Sequence, residues 1–131
     1  MATKTEVYAN QVLDDLFGSG SPATLYFGLF TSAPAADGTG GTEVTGGSYA
    51  RAAKTNNATN FPAAAAKEKS NANAITFAQA TANWGTITHV VVFDSLTVGA
   101  RFHVAPLVTP RTINNGDTFE FAATQLVIQE S

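Results

Sequence analysis

The sequence predicts a mainly β protein, an antiparallel β-sandwich or jelly-roll-like domain with a short N-terminal helix. Three observations carry that expectation. Six segments rich in β-branched and aromatic residues recur between clusters of Gly, Asn, Asp and Pro. Helical periodicity stands out in one place, ahead of residue 20. The connections are dominated by glycine and small polar residues, as turns between strands are. With 131 residues the chain is long enough to bury a sizeable core, and a single domain is expected. Its parts would be a helix within residues 1–19 and a sandwich over 20–131, with long loops at 32–47 and 56–73.

The helix is read from "TKTEVYANQVLDDLFGSG". Thr3 and Glu6 have capping-box spacing, and Gly18 stands where a C-terminal glycine ends a helix. Tyr8, Val12, Leu13, Leu16 and Phe17 fall on one apolar stripe. Asp14 and Asp15 lie in the last turn, where the helix dipole disfavours them, and are expected to form a solvated acidic edge.

Strands follow in order. "TLYFGLFT" is apolar on both faces, as a central strand is, and Gly28 within it marks a bulge or a close backbone approach. "SYARAAKT", "NAITFA", "TITHVVVFDS", "ARFHVAPLVT" and "DTFEFAATQLVIQ" come next. Pro106 has no N–H to give a ladder, so its strand is an edge or is broken there. In the last segment Phe119, Phe121 and Ala123 share one parity, whereas Leu126 and Ile128 share the other. One straight strand cannot bury both sets, so a bend near Thr124 is required. The "INNGD" before it is a turn, with Gly116 the residue at positive φ.

The loop over 32–47 is Gly-, Thr- and Ala-rich and nearly free of charge. The loop over 56–73 contains "FPAAAAKEKS", where Pro62 can open a helix of two turns at most. Loops of this length are uncommon in compact domains, and both are read as excursions that lie on a neighbour's surface.

Composition excludes several classes of function. Seven Lys and Arg are scattered along a chain of net charge −3, so no nucleic-acid footprint exists. The absence of cysteine removes disulfides, thiolate catalysis and zinc–thiolate sites. No apolar run approaches the ~20 residues of a membrane span, and no signal-peptide h-region is seen, so a cytoplasmic site of synthesis is expected. Charged residues make up 13%, about half the usual share, which suits a protein packed against partners.

The candidates for chemistry are few. His89 and His103 lie in apolar strands without a third metal ligand at suitable spacing. Asp94-Ser95 is a turn, and no G-x-S-x-G elbow occurs. Asp37, Glu43, Asp94, Asp117 and Glu120 are carboxylates that a glycosidase would have to pair. "DGTGGTE" lacks the alternating oxygen ligands of a calcium loop. Trp84 is read first as a core anchor and second, with Tyr26 and Tyr49, as a saccharide platform. No residue is assigned a catalytic, cofactor-binding or metal-binding role, and the expectation is a protein that is not an enzyme and carries no cofactor.

"LYFGLFTSAPAADGTGGTEVTGGSYARAA", "NANAITFAQATANWGTITHVVVFD" and "TINNGDTFEFAATQLVI", in that order and spacing, resemble a family of small tailed-bacteriophage virion proteins. The resemblance runs from about Leu25 to Ile128. Members are labelled as tail-fibre or head-decoration proteins, and the family implies no catalytic residues. The first reading it leads to is a capsid decoration (cement) protein, a homotrimer that binds the major capsid protein on the assembled head and stabilises it by linkage. The alternative is a tail or tail-fibre component, partnered by other tail proteins, that binds host-surface glycan. A small glycan hydrolase ranks third. In each of the first two the protein resides in the virion, with no nucleic acid or membrane as partner.

Overall fold

The computed structural model describes residues 6–20, 22–35, 39–66 and 68–129. It is mainly β, with antiparallel sheets and one short helix near the N-terminus, as the sequence predicts. Its contacts group into two compact units, each assembled from separate stretches of chain. A sheet unit comprises Leu25–Ala53 and Thr76–Glu120, and a helix unit comprises Met1–Thr24, Lys54–Ile75 and Phe121–Ser131.

The sheet unit is built on β1 (Thr24–Ser32), β2 (Thr42–Glu43), β6 (Gly85–Phe93) and β7 (Arg101–Ile113), in the order β2-β1-β6-β7. β3 (Ala52–Thr55) also pairs with β1. β1 and β6 run antiparallel from Tyr26 opposite Phe93 to Phe30 opposite His89. Both are apolar on both faces because both faces are covered: Phe27, Leu29, Phe30, Val90, Val91, Val92 and Phe93 are all buried. Burying such side chains stabilises by about 1.5–3 kcal/mol each. Phe30 and Phe93 stack with ring centroids 6.2 Å apart.

β7 is the outer strand of this order, and Pro106, opposite His89, sits beside a slip in register between Ile87 and His89. The sequence reading of an edge with a break at Pro106 is met on both counts. β5 (Ile75–Thr76) pairs with β8 (Glu120–Phe121), and the neighbouring Phe77 and Phe119 rings meet edge-on at 5.6 Å. Gly116 has φ +94°, the conformation expected of the "INNGD" turn.

In the helix unit, α1 (Glu6–Leu16) buries Leu13, and Phe17 just beyond its end is buried too. The helix packs on β4 (Glu68–Ser70), and Phe17 meets Phe61 at 5.9 Å. Its end follows the sequence signal. Gly18, at φ +92°, donates its N–H to Asn56 Oδ1 (2.5 Å), and Asn56 Nδ2 donates to the Leu16 and Pro22 carbonyls. A buried asparagine thus satisfies groups that a helix terminus leaves orphaned. The Thr3 end of the capping box lies outside the described residues.

β4 pairs antiparallel with β9 (Val127–Gln129), Lys69 opposite Ile128. Thr124 has φ +68°, and the bend anticipated there separates β8 from β9. Buried Asn71 fixes it, since its Nδ2 donates to the Ala122 carbonyl and its Oδ1 accepts from Leu126 N. The short helix expected from Pro62 does not form. Ala65 and Glu68 instead bridge across a tight turn with Ala66 at φ +51°, and β4 follows. Two turns are too few to hold a helix against a strand pairing that buries Lys69.

Candidate functional site

In the sheet unit the nearly charge-free loop over 32–47 ends in a polar cluster. Glu43, on β2, is bound by Arg51 through two parallel hydrogen bonds, Nε to Oε2 and Nη2 to Oε1, both 2.9 Å. The Arg51 side chain is 7% exposed. Its remaining nitrogen, Nη1, donates to the backbone oxygens of Ser95 (2.8 Å) and Val98 (2.7 Å). The guanidinium also lies 3.4 Å over the Phe93 ring, a cation–π contact out of bulk water. One side chain therefore ties the 40s loop, the central strand and the β6–β7 turn together.

Tyr49 completes the cluster. Its hydroxyl donates to Glu43 Oε2 (2.6 Å) and accepts from Leu29 N (2.9 Å). Burial, and then the Glu43 carboxylate, push its phenol far above the usual tyrosine range, so it stays neutral. Gly28 makes room: a Cβ there would stand 2.7 Å from Glu43 Oε2 and 2.9 Å from the Phe93 ring. The close backbone approach read from Gly28 is real, and what approaches is this cluster. Arg101 braces the opposite rim, donating to Gly40 O (2.6 Å) with its guanidinium 5.0 Å from the Phe30 ring.

The turn held by Arg51, Ser95 to Ala100, is fixed from within as well. Asp94 Oδ1 accepts from Ala100 N (2.8 Å), and Ser95 Oγ donates to Thr97 O (2.9 Å). Val98 sits at φ +56°, a left-handed conformation rare for a β-branched residue. The turn presents Leu96 and Val98, 52% and 83% exposed.

The predicted candidates for chemistry are dispersed. His89 opposes Pro106 and His103 opposes Val92, three positions apart along β6 and so on opposite faces of the sheet. His89 Nδ1 is bonded to Thr88 Oγ1 (2.8 Å). Each described carboxylate of the five has its own structural partner: Glu43 holds Arg51, and Asp94 closes its turn. Asp117 accepts from Asn114 N, and Glu120 from Thr76 Oγ1. Asp37 lies outside the described residues. Among the described residues no group of three or more His, Asp or Glu is placed to hold a metal ion.

Trp84 is a core anchor. It is 5% exposed, its Nε1 donates to Gly47 O (3.0 Å), and its ring meets Tyr49 edge-on at 5.3 Å. The saccharide platform of Trp84, Tyr49 and Tyr26 is therefore not formed, because Trp84's face is covered and Tyr49's hydroxyl is engaged. In the helix unit the acidic edge is solvated as expected, with Asp15 exposed and the Asp14 side chain 41% exposed, yet Asp14 also has partners. It accepts from Lys69 Nζ (2.7 Å) and from Ala64 N (2.7 Å), and the Lys69 side chain is 2% exposed.

The sequence reading missed the Glu43–Arg51 pair, yet a signal for it was present. In a stretch almost empty of charge, one Glu and one Arg flank a Tyr, and a strand glycine is placed to admit them.

A cluster whose polar groups satisfy one another, beneath a turn with apolar side chains exposed, is suited to holding a surface in shape. Residues 3–129 match the model of one protein family, podophage GP4 fiber I protein gp80. The chain belongs to this gp80 family. It is a tailed-phage virion protein, as the resemblance in its strands implies. No curated protein matches it. The gp80 match takes in α1 as well as every strand, a longer span than the strand motifs alone supply.

Proposed function

We propose that this protein is a subunit of a phage tail fibre, acting by contact with neighbouring tail proteins and copies of itself. The observation that carries the reading is the match over residues 3–129 to a family described as a fibre protein. That description favours the fibre over the capsid-decoration reading that the sequence alone ranks first. The geometry is consistent with a role in contact. Arg51, Glu43, Asp14 and Lys69 neutralise one another in pairs, so packing against a neighbour leaves none of these four to be desolvated alone. Host recognition, where the fibre performs it, would not run through Trp84, whose ring is buried.

A deletion phage tests the proposal. The expected particles have heads that retain DNA on heating and osmotic shock, but lack a complete fibre and adsorb poorly. Immunogold label on wild-type particles is expected on the tail. Particles that adsorb normally but lose DNA on heating, with label over the head, would return the protein to the capsid shell.

A further inference from the structure

The chain contains nine asparagines, and the fold engages them unequally. Asn56 and Asn71 are buried with both side-chain polar atoms bonded. Asn57, Asn60, Asn73 and Asn83 each hold a side-chain atom in a hydrogen bond. Asn115 does not. Its side chain is exposed, and its carboxamide has no partner among the described residues. It is also the one asparagine in the sequence that precedes a glycine. Asparagine is among the chemically labile residues, and its lability depends on how easily the next backbone nitrogen reaches the carboxamide carbon.

Asn115 and Gly116 are the central pair of a turn that Asp117 N closes by donating to Asn114 O (3.0 Å). Gly116 at φ +94°, after a residue that is not at positive φ, fits the type II pattern. Residues 114–118 are all exposed, and a Cβ placed on Gly116 would meet no atom within 4 Å. One bond stands in the way of reaction. Gly116 N donates to the carbonyl of Ala80 (2.7 Å), a residue only 1% exposed. While that bond lasts, the nitrogen keeps its proton and points at Ala80.

We propose that Asn115 is a self-modification site, where the chain loses ammonia through attack by its own Gly116 nitrogen, and that the Gly116–Ala80 bond gates the reaction. When the turn opens, solvent hydroxide takes the Gly116 amide proton. The nitrogen bonds to Asn115 Cγ, the Cγ–Nδ2 bond breaks, and Nδ2 takes a proton from water and departs as ammonia. Water then opens the five-membered imide at one carbonyl or the other, leaving aspartate or isoaspartate. Either product sets a new carboxylate two residues from Asp117. The isoaspartate also adds a methylene to the main chain ahead of Gly116, which displaces Gly116 N from Ala80 O. Asn114 is exposed too, but the residue after it carries a side chain that crowds the attacking nitrogen. The inference is independent of where in the particle the protein sits.

Purified protein held in mildly alkaline buffer and sampled by peptide mass spectrometry tests it. The acid form is expected at Asn115 before any other asparagine, with isoaspartate in the same peptide. A parallel sample unfolded in urea should convert Asn115 about ten- to a hundredfold faster, because an exposed turn opens readily but only as a minor state. Asn115→Gln keeps a carboxamide but has to close a larger and slower ring. It should melt with the wild type and stay unconverted over the same period. First conversion at another asparagine would overturn the proposal. So would an Asn115 still intact after about a hundredfold the time that it lasts in urea. Equal rates in buffer and in urea would overturn it as well, since the Ala80 bond would then gate nothing.

Discussion

Arg51 joins three stretches of the sheet unit through one side chain. Its three nitrogens are all donors, to Glu43, Ser95 and Val98, and its flat face rests on Phe93. Lysine offers neither the fork nor the planar face. Glu43→Gln keeps an acceptor for Tyr49 but leaves a guanidinium with 7% exposure without its counter-charge. The expected loss is about 3 kcal/mol, the lower end for breaking a buried pair. Urea denaturation followed by Trp84 fluorescence checks it, since that indole lies against Tyr49. Single residues with local signatures were legible: Gly18, Gly28, Gly116, Pro106 and the bend at Thr124 each follow from backbone sterics or strand parity. Asn56 and Asn71 were not, because an asparagine's value lies in partners 34 to 55 residues away.

At the scale of elements, β1, β6 and β7 were readable because long runs of β-branched and aromatic residues have few other uses. β2 and β4 were not. Thr-Glu and Glu-Lys-Ser have no strand signature, and only pairing with β1 and β9 makes them strands. The loss of β4 from the reading also hid Lys69's partner. Burial alone would raise the Asp14 pKa, but the Lys69 hydrogen bond, the Ala64 N–H and the ammonium charge together bring it below its ordinary 3.8. A depressed folded pKa stabilises at pH above 3.8 and is lost as pH falls through the folded value. Hydrogen exchange in β4 and α1, taken relative to the intrinsic rate at each pH, should therefore accelerate below that pH. In Asp14→Asn it should be faster at pH 6, with a smaller acid-induced change. Equal acid sensitivity in the two proteins would place the effect elsewhere.

At the scale of the whole molecule, the described parts of the two long loops are anchored by buried residues. Val44 and Phe61 are buried within them, Val44 N donates to Leu29 O, and Phe61 N to Asn57 O. Their low charge left no surface signal of this, and their anchors are single apolar residues among many small ones. The amides of Val44 and Phe61 are expected to be as protected from exchange in the isolated protein as those of β1. Exchange at the rate of an open chain, slowed only in the particle, would mean instead that the loops order on assembly.

The chain passes between its two units at Thr24–Leu25, Ala53–Lys54, Ile75–Thr76 and Glu120–Phe121. Emerging from a ribosome, it cannot complete the helix unit early, because β4 waits for β9 and Asn71 waits for Leu126 N. Residues through 128 must be synthesised before Lys69 is flanked on both sides. Such long sequence separations slow folding. They also imply a dependence of one end on the other: a chain that terminates before residue 127 is expected to leave β4 unpaired and its unit unfinished, and so to be cut by protease faster than the intact chain.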